Sequence, residues 1–255
     1  MPDRVLRHVP PPWLRGPACL DRGDVVLDRT RAEEYHPSVV PGLACDLAAI
    51  TRPSDVLPFV RRWGLLWHGP QATTWREAYR DWEREALTLR DILHLHLYLQ
   101  RALRGDASAR QELWRRWARA WGPSSVARVT TEGELYAQVS QALARAISER
   151  LEGVQEMVTA AVEWESDGRP RAPGTFLFTA HAPHLLGYAY HDLALQIVTR
   201  TPMSTCIECG RVFVIKDQRQ QYCSAPCGGR ARYRRWAEKH RASNREVSDA
   251  TSREG

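Results

Sequence analysis

Four cysteines close together near the end of the chain constrain its fold more than any other feature. Of the six cysteines in the sequence, four lie within 22 positions, as Cys206-x2-Cys209-x13-Cys223-x3-Cys227. Close pairs of thiolates that folding brings together complete a tetrahedral metal site. Because four thiolates leave no coordination position for water, the spacing predicts one structural Zn²⁺ per chain and not a catalytic metal.

The alternatives to a zinc site are free cysteines, disulfides and an iron–sulfur cluster. Disulfides are rare in cytosolic proteins, and residues 201–243 are too few to form a stable core without a covalent or metal crosslink. The first residues lack the apolar segment of a secretory signal, and no apolar run approaches the roughly 20 residues that a membrane helix needs. We therefore expect a cytoplasmic protein with no membrane association.

The residues around the cysteines predict a treble-clef-like finger. Gly210 follows the first cysteine pair and tolerates the positive φ that such a turn needs. Two short segments, 212–214 and 220–222, are expected to pair as a β-hairpin. Ser224 is a candidate cap for a helix that holds Cys227 in its first turn, where the positive end of the helix dipole favours a thiolate.

The segment TCIECGRVFVIKDQRQQYCSAPCGGRARYRR resembles the CGNR-type zinc finger found at the C-terminus of bacterial stress-induced transcription regulators. The shared features are the Cys206/Cys209 knuckle, Phe213, the Tyr222-Cys223-Ser224 step and a basic helix. The resemblance covers about residues 200–236 and implies a largely helical domain before the finger. One position departs from the signature: Cys227-Gly228-Gly229-Arg230 replaces Cys-Gly-Asn-Arg, so any role of the Asn amide is absent.

The positive charge of the chain is concentrated in the same segment. Residues 1–200 carry 25 basic and 24 acidic side chains, whereas residues 201–243 carry nine basic and three acidic ones, a net charge of +6. The first 200 residues are also rich in arginine and are nearly neutral, so a general preference for arginine does not explain this excess. A balanced body with a basic module is typical of a protein that binds a polyanion.

The helix expected after Cys227 carries the candidate nucleic-acid contacts. At helical spacing one stripe contains Arg230, Arg234 and Arg241, and it is flanked by Arg232, Arg235 and Lys239. The planar guanidinium fork of arginine fits phosphates and the edges of guanine. A four-thiolate zinc centre has a formal charge of −2, which could engage two or three of these arginines but not all of the basic residues.

A second stripe on this helix contains Gly229, Tyr233, Trp236 and His240. We expect it to pack on the finger or on the N-terminal domain. Residues 244–255 are polar and are expected to form a disordered tail.

Residues 1–200 predict an α-rich domain, so that the whole protein is mainly α with a small β-hairpin. Apolar periodicity and capping residues predict helices from Ser54, from Thr73 or Thr74 to Gly105, from Asp106 to Trp121, from Glu134 to Leu151 and from Pro183 to Thr199. Alternating apolar residues from Val154 to Trp164, a turn-rich stretch and the run TFLFTA predict a β-hairpin with a long loop.

Several histidines and cysteines outside the finger are candidate functional groups. His94 and His96 lie two positions apart on a helix, so they cannot share an ion, and we expect buried or surface polar residues. A stripe of His181, His184, Tyr188 and His191 could line a ligand pocket or bind a second metal, but it fits a packing interface better. Cys19 and Cys45 are expected to be inert buried thiols.

The sequence favours a DNA-binding protein, and specifically a bacterial transcription regulator whose α-rich domain senses a small-molecule effector or mediates self-association. One alternative is RNA binding through the same finger. Another is a helical adaptor whose zinc module docks a protein partner. An enzyme is the least supported class, because no phosphate-binding, dinucleotide-binding, hydrolase or zinc-protease motif is present.

Overall fold

The computed structural model describes residues 13–35, 42–68, 74–121, 129, 131–161 and 175–251. Contacts between Cα atoms divide the chain into two compact units, Met1–Arg200 and Thr201–Gly255. Most described residues are helical, and the strands form small antiparallel sheets, as the sequence predicts. No helix in the described ranges is long and apolar enough to cross a membrane.

The N-terminal unit contains six described α-helices and seven described strands. The helices are α1 (Leu43–Ala48), α2 (Pro53–Trp63), α3 (Tyr79–Leu103), α4 (Ala107–Trp121), α5 (Glu132–Arg150) and α6 (Leu185–Val198). The strands are β1 (Trp13–Arg15), β2 (Ala18–Asp21), β3 (Asp24–Leu27), β4 (Glu33–Tyr35), β5 (Arg76–Ala78), β6 (Gln155–Ala161) and β7 (Thr175–His181). β1 pairs with β4, β3 lies between β2 and β5, and β6 pairs with β7.

Helix α3 is the centre of this unit. Its buried side chains recur at helical spacing and include Trp82, Ala86, Leu89 and Leu93, each fully inaccessible to solvent. Helices α1, α4 and α5 pack against it. Burial on several faces makes α3 a core helix, as its apolar pattern predicts.

The ends of the helices show which of the predicted capping residues cap a helix in the structure. Asp106 caps α4, because its Oδ1 accepts the backbone N–H of Ala109 at 3.0 Å. Helix α2 begins at Pro53 and not with the predicted cap, Ser54. The Asp55 carboxylate accepts the backbone N–H of Arg52 at 3.2 Å, and proline at the first helical position has no N–H that needs a partner.

Helix α3 begins later than the sequence predicts, at Tyr79 and not at Thr73 or Thr74. Arg76–Ala78 instead forms β5, which pairs with β3. The buried carboxylate of Glu77 in this strand accepts hydrogen bonds from the backbone N–H groups of Leu66, Trp67 and His68. The pairing with β3, which lies far away in the sequence, and these bonds to the preceding loop hold the segment extended and override its helical pattern.

The predicted β-hairpin is present in the backbone of β6 and β7. The two seven-residue strands pair from Gln155 with His181 to Ala161 with Thr175. The turn-rich loop between them and Trp164 lie outside the described residues.

The C-terminal unit consists of β8 (Met203–Thr205), β9 (Val212–Val214) and α7 (Ala225–Thr251). The prediction that 220–222 pairs with β9 is wrong, because β9 pairs with β8, on the other side of the first cysteine pair. Residues 215–222 form turns in which Gln220 accepts the backbone N–H of Lys216 at 3.0 Å. Helix α7 continues to Thr251, so residues 244–251 of the predicted disordered tail are helical, and 252–255 lie outside the described residues.

Candidate metal centre and basic helix

The first cysteine pair lies in a tight knuckle between β8 and β9. The Cys206 N–H donates to the carbonyl of Arg211 at 2.8 Å, and the Gly210 N–H donates to the carbonyl of Cys206 at 2.9 Å. Gly210 has φ +71°, the left-handed conformation that the knuckle requires. The antiparallel pairing of β8 and β9 therefore presents Cys206 and Cys209 on one turn.

The second pair lies at the start of α7. Cys227 is in the first helical turn, and its N–H donates to Ser224 Oγ at 3.4 Å, so Ser224 caps the helix as predicted. The knuckle is tied to the segment before Cys223 by a backbone bond from Ile207 to the carbonyl of Gln221, 3.2 Å long. That bond brings the two pairs together.

The four cysteines form one cluster with the dimensions of a metal site. All four Sγ atoms lie within 4.8 Å of one another. The Sγ atoms of Cys209 and Cys223 are 3.6 Å apart, as are those of Cys223 and Cys227. A tetrahedron with Zn–S bonds of about 2.3 Å has edges of about 3.8 Å, whereas a disulfide needs sulfur atoms about 2.05 Å apart. The cluster therefore fits one tetrahedral ion.

The electrostatics of the cluster favour a cation at its centre. Burial by itself raises the pKa of the Cys206 thiol, but hydrogen bonds from the backbone of Cys223, Cys209 and Glu208 lower it to about 7. Burial raises the pKa of Cys223, and its hydrogen bond with Cys227 raises it further. A divalent cation at the centre of the cluster would stabilise all four sulfurs as thiolates.

A small apolar cluster supports the metal centre. Cys206, Cys227 and Phe213 are buried together, with 2%, 4% and 6% of their surfaces exposed. Ile215 and Tyr222 pack against them. Phe213, the aromatic residue that follows the first cysteine pair, thus packs with two of the four cysteines.

Glu208 connects the knuckle to the helix. Its side chain is 6% exposed and lies between two arginines of α7: Arg234 Nη2 is 2.6 Å and Arg230 Nε is 3.7 Å from Glu208 Oε1. Arg230 Nη2 also donates to Cys227 Sγ at 3.0 Å. We call this arrangement the Glu208 bridge. Two of the three arginines in the predicted phosphate-binding stripe therefore also hold the metal module together.

The other predicted contacts point into solvent from α7. Arg232, Arg235, Lys239 and Arg241 are exposed. Arg232, Lys239 and Arg241 form no ion pair with any side chain in the described part of the chain, and Arg235 donates to the carbonyl of Ala231 in its own helix. An open groove beside Arg241 is lined by Glu208, Arg230, Tyr233, Arg234 and Glu238.

Three side chains of the stripe expected to pack on the finger or on the N-terminal domain are exposed, and none of them belongs to the apolar cluster of the finger. Tyr233 is 69% and Trp236 is 56% exposed, and His240 is also exposed. Beyond its first turns α7 extends past the small finger, whose apolar cluster involves only residues up to Cys227. Nothing in that cluster is large enough to cover the aromatic side chains.

The histidines and remaining cysteines in the N-terminal unit do not form a second metal site among the described residues. His94 and His96 are buried polar residues, as predicted, and burial lowers the pKa of His94 to about 4. His184 caps α6 by accepting the N–H of Gly187 at 2.9 Å. Cys45 is buried as expected, but Cys19 is exposed, so the prediction for it is wrong.

Sequence analysis missed the role of Glu208. An acidic residue inside a Cys-x2-Cys knuckle, followed by a helix with arginines four positions apart, was the available signal. It was not decisive, because only the fold shows that the carboxylate faces those arginines.

Comparisons with known proteins do not assign the chain to a family. No family model matches the chain, and no curated protein matches it. The four clustered cysteines are compatible with a zinc finger. The chemistry of this cluster and the surface of α7 are what indicate a function.

Proposed function

We propose that this protein binds DNA through helix α7, which a structural zinc ion holds in place, and that it acts as a bacterial transcription regulator. One observation carries the proposal: the helix that begins at the cysteine cluster is exposed and strongly basic. Between residues 230 and 241 it has six basic side chains and one acidic one. A polyanion is the partner that such a surface attracts.

Zinc is the metal that best suits the cluster. Four sulfur donors with tetrahedral edges match structural zinc sites, and the donor set leaves no position for a reacting water. Zinc binding would supply about 10–16 kcal/mol of apparent free energy to fold the module. The ion would thus fix the start of α7, and the protein would not use it for catalysis.

The resemblance of residues 200–236 to CGNR-type fingers supports the regulatory role. In this reading the unit Met1–Arg200 senses a small-molecule effector or mediates self-association in the cytoplasm. Gly229 replaces the asparagine of the signature, so target recognition by that amide does not apply.

The basic side chains of α7 that form no described ion pair provide the most direct test of DNA binding. If Arg232 and Lys239 bind phosphates, each contributes about −0.9 to the slope of log affinity against log salt. The double variant Arg232→Ala/Lys239→Ala should then reduce the steepness of that slope on duplex DNA by about 1.8. The matched control is Arg61→Ala/Arg104→Ala, which removes two exposed arginines from the N-terminal unit and should leave the slope unchanged.

Selection from random duplex DNA with purified full-length protein, with structured RNA as competitor, distinguishes the alternatives. Enrichment of one duplex motif supports a transcription regulator. Preferential retention of the RNA would replace DNA by RNA as the target. Retention of neither nucleic acid would contradict the proposal and favour the adaptor that docks a protein.

A further inference from the structure

Helix α7 carries an exposed aromatic face, which we define as Tyr233, Trp236 and His240. The rings of Tyr233 and Trp236 are stacked, with centroids 5.8 Å apart and planes inclined by 28°. The ring of His240 lies 4.3 Å from that of Trp236. Single exposed aromatic residues are common on protein surfaces, but a contiguous exposed set of rings is the kind of patch that marks a binding surface.

Basic side chains border the aromatic face on both sides. At about 100° per residue, Arg232 and Lys239 lie within about 60° of Trp236 on one side of the helical wheel. Arg230 and Arg241 lie within about 80–100° of Tyr233 and His240 on the other side. A ligand on this face therefore meets flat apolar rings in the middle and positive charge along both edges.

The positive charge along α7 limits which partner can bind to the aromatic face. A second copy of α7 would bring the six basic side chains and one acidic side chain of its own residues 230–241 against the same edges, so like charges would repel. The binding of a helix to a lipid surface scales with the apolar area that it buries, and this face offers two aromatic rings beside a histidine, with no aliphatic side chain to extend that area. The occupant must be anionic and must present flat faces to the rings.

Unpaired nucleic acid satisfies both conditions. In a duplex the base faces are stacked inside, and a protein in a groove contacts only base edges. An unpaired base exposes its faces, on which aromatic side chains stack while neighbouring cations bind the phosphates. The exposed pair of Tyr233 and Trp236 has the chemistry of such a stacking platform.

We propose that the aromatic face of α7 binds unpaired bases of a single-stranded DNA segment. The inference rests on the proposed function, since it takes DNA as the partner of α7 and assigns a second mode of contact to the same helix. In this mode the strand lies along α7, its bases stack on Tyr233 and Trp236, and its phosphates contact Arg232 and Lys239.

The test is the affinity of the full-length, zinc-loaded protein for a labelled single-stranded DNA oligonucleotide and for a duplex of the same length. Trp236→Ala and Tyr233→Ala should each weaken single-strand binding about 5- to 150-fold, the range that loss of one stacked base predicts. Both variants should change duplex affinity less than about twofold, because the phosphate contacts remain. Trp236→Phe keeps a flat ring and should retain most of the affinity.

Two controls separate stacking from loss of structure. Val198→Ala removes an apolar side chain that is 78% exposed in the N-terminal unit, and it should have no effect on either DNA. Zinc content should stay at one ion per chain in each variant, because neither aromatic residue belongs to the cysteine cluster or its apolar support.

The outcomes distinguish this inference from the proposed function. If the wild-type protein binds neither DNA, the proposed function fails. If it binds both and the alanine variants bind the single strand as well as the wild type does, only the stacking inference is overturned. Tighter binding of single-stranded RNA of the same sequence would overturn DNA as the source of the bases. Loss of self-association in Trp236→Ala would identify a second copy of the chain as the occupant.

Discussion

The Glu208 bridge makes a prediction that the cysteine pattern alone does not. In Glu208→Gln the side chain keeps its shape but loses its charge, so that Arg230 and Arg234 lose their ionic partner. We expect the finger to hold zinc less tightly, although none of its four cysteines is changed. The reason is that zinc binding and folding of so small a module are one equilibrium.

The size of the effect follows from the exposure of the three side chains. The carboxylate is 6% exposed, but both arginines are about 60% exposed, so solvent screens each pair strongly. An exposed ion pair contributes about 0.2–1 kcal/mol, and a hydrogen bond to a charged group about 1.5–3 kcal/mol. The glutamine oxygen still accepts one hydrogen bond, so we expect a loss of about 1–2 kcal/mol. This corresponds to a zinc dissociation constant about 5 to 30 times higher.

Competition for zinc with a chromophoric chelator measures this change directly. The matched control is Glu238→Gln, which removes the same charge from an exposed residue of α7 that forms no ion pair among the described side chains. Equal zinc affinities of the two variants would refute the bridge, because the effect would then depend on net charge and not on the contact. A wild-type affinity in Glu208→Gln would refute it as well.

Three further predictions test the metal site and the fold. Cys209→Ser should lose its zinc and unfold the C-terminal module, while the helical signal of the N-terminal unit persists. The control Cys19→Ser changes an exposed cysteine outside the cluster and should keep one zinc per chain by elemental analysis. Gly64→Ala should lower the free energy of unfolding by more than about 3 kcal/mol, because φ is +88° and an added Cβ would overlap a backbone oxygen of β1. Gly133→Ala, at an open position in the first turn of α5, should raise it by about 0.4–1 kcal/mol in the same denaturation assay, because alanine has less freedom to lose on folding. His94 has a folded pKa of about 4, below its ordinary value of 6.5, so protonation favours the unfolded chain and stability should fall as the pH drops from 6.5 towards 4. The difference between a pKa of 6.5 and one of about 4 corresponds to a loss of about 3 kcal/mol. His94→Gln should show a flatter dependence of Tm on pH, whereas an equal slope would contradict the assignment.

Local signals in the sequence determined much of the helical framework. The cap at Asp106, the apolar pattern around Leu89 and the cap at Ser224 each involve residues only a few positions apart, so they act before any tertiary contact forms. Where a distant segment competes, the local signal lost. The segment around Glu77 shows this, because its pairing with the distant strand β3 holds it extended despite a helical pattern.

The candidate site also depends partly on local sequence signals and partly on contacts between distant segments. The spacing of the four cysteines predicts a metal cluster because close pairs of ligands need only short turns to face one ion. The sequence also determined the charge of α7 and the order of its basic and aromatic stripes, since helical periodicity alone sets them.

Only the tertiary structure decided what those stripes do. It paired β9 with the strand before the knuckle, placed Glu208 against Arg230 and Arg234, and left Tyr233 and Trp236 exposed. Each of these depends on which distant surfaces meet, and a one-dimensional pattern does not contain that information. Periodicity tells which side chains share a face of a helix, whereas burial of that face depends on the size and position of the partner it finds.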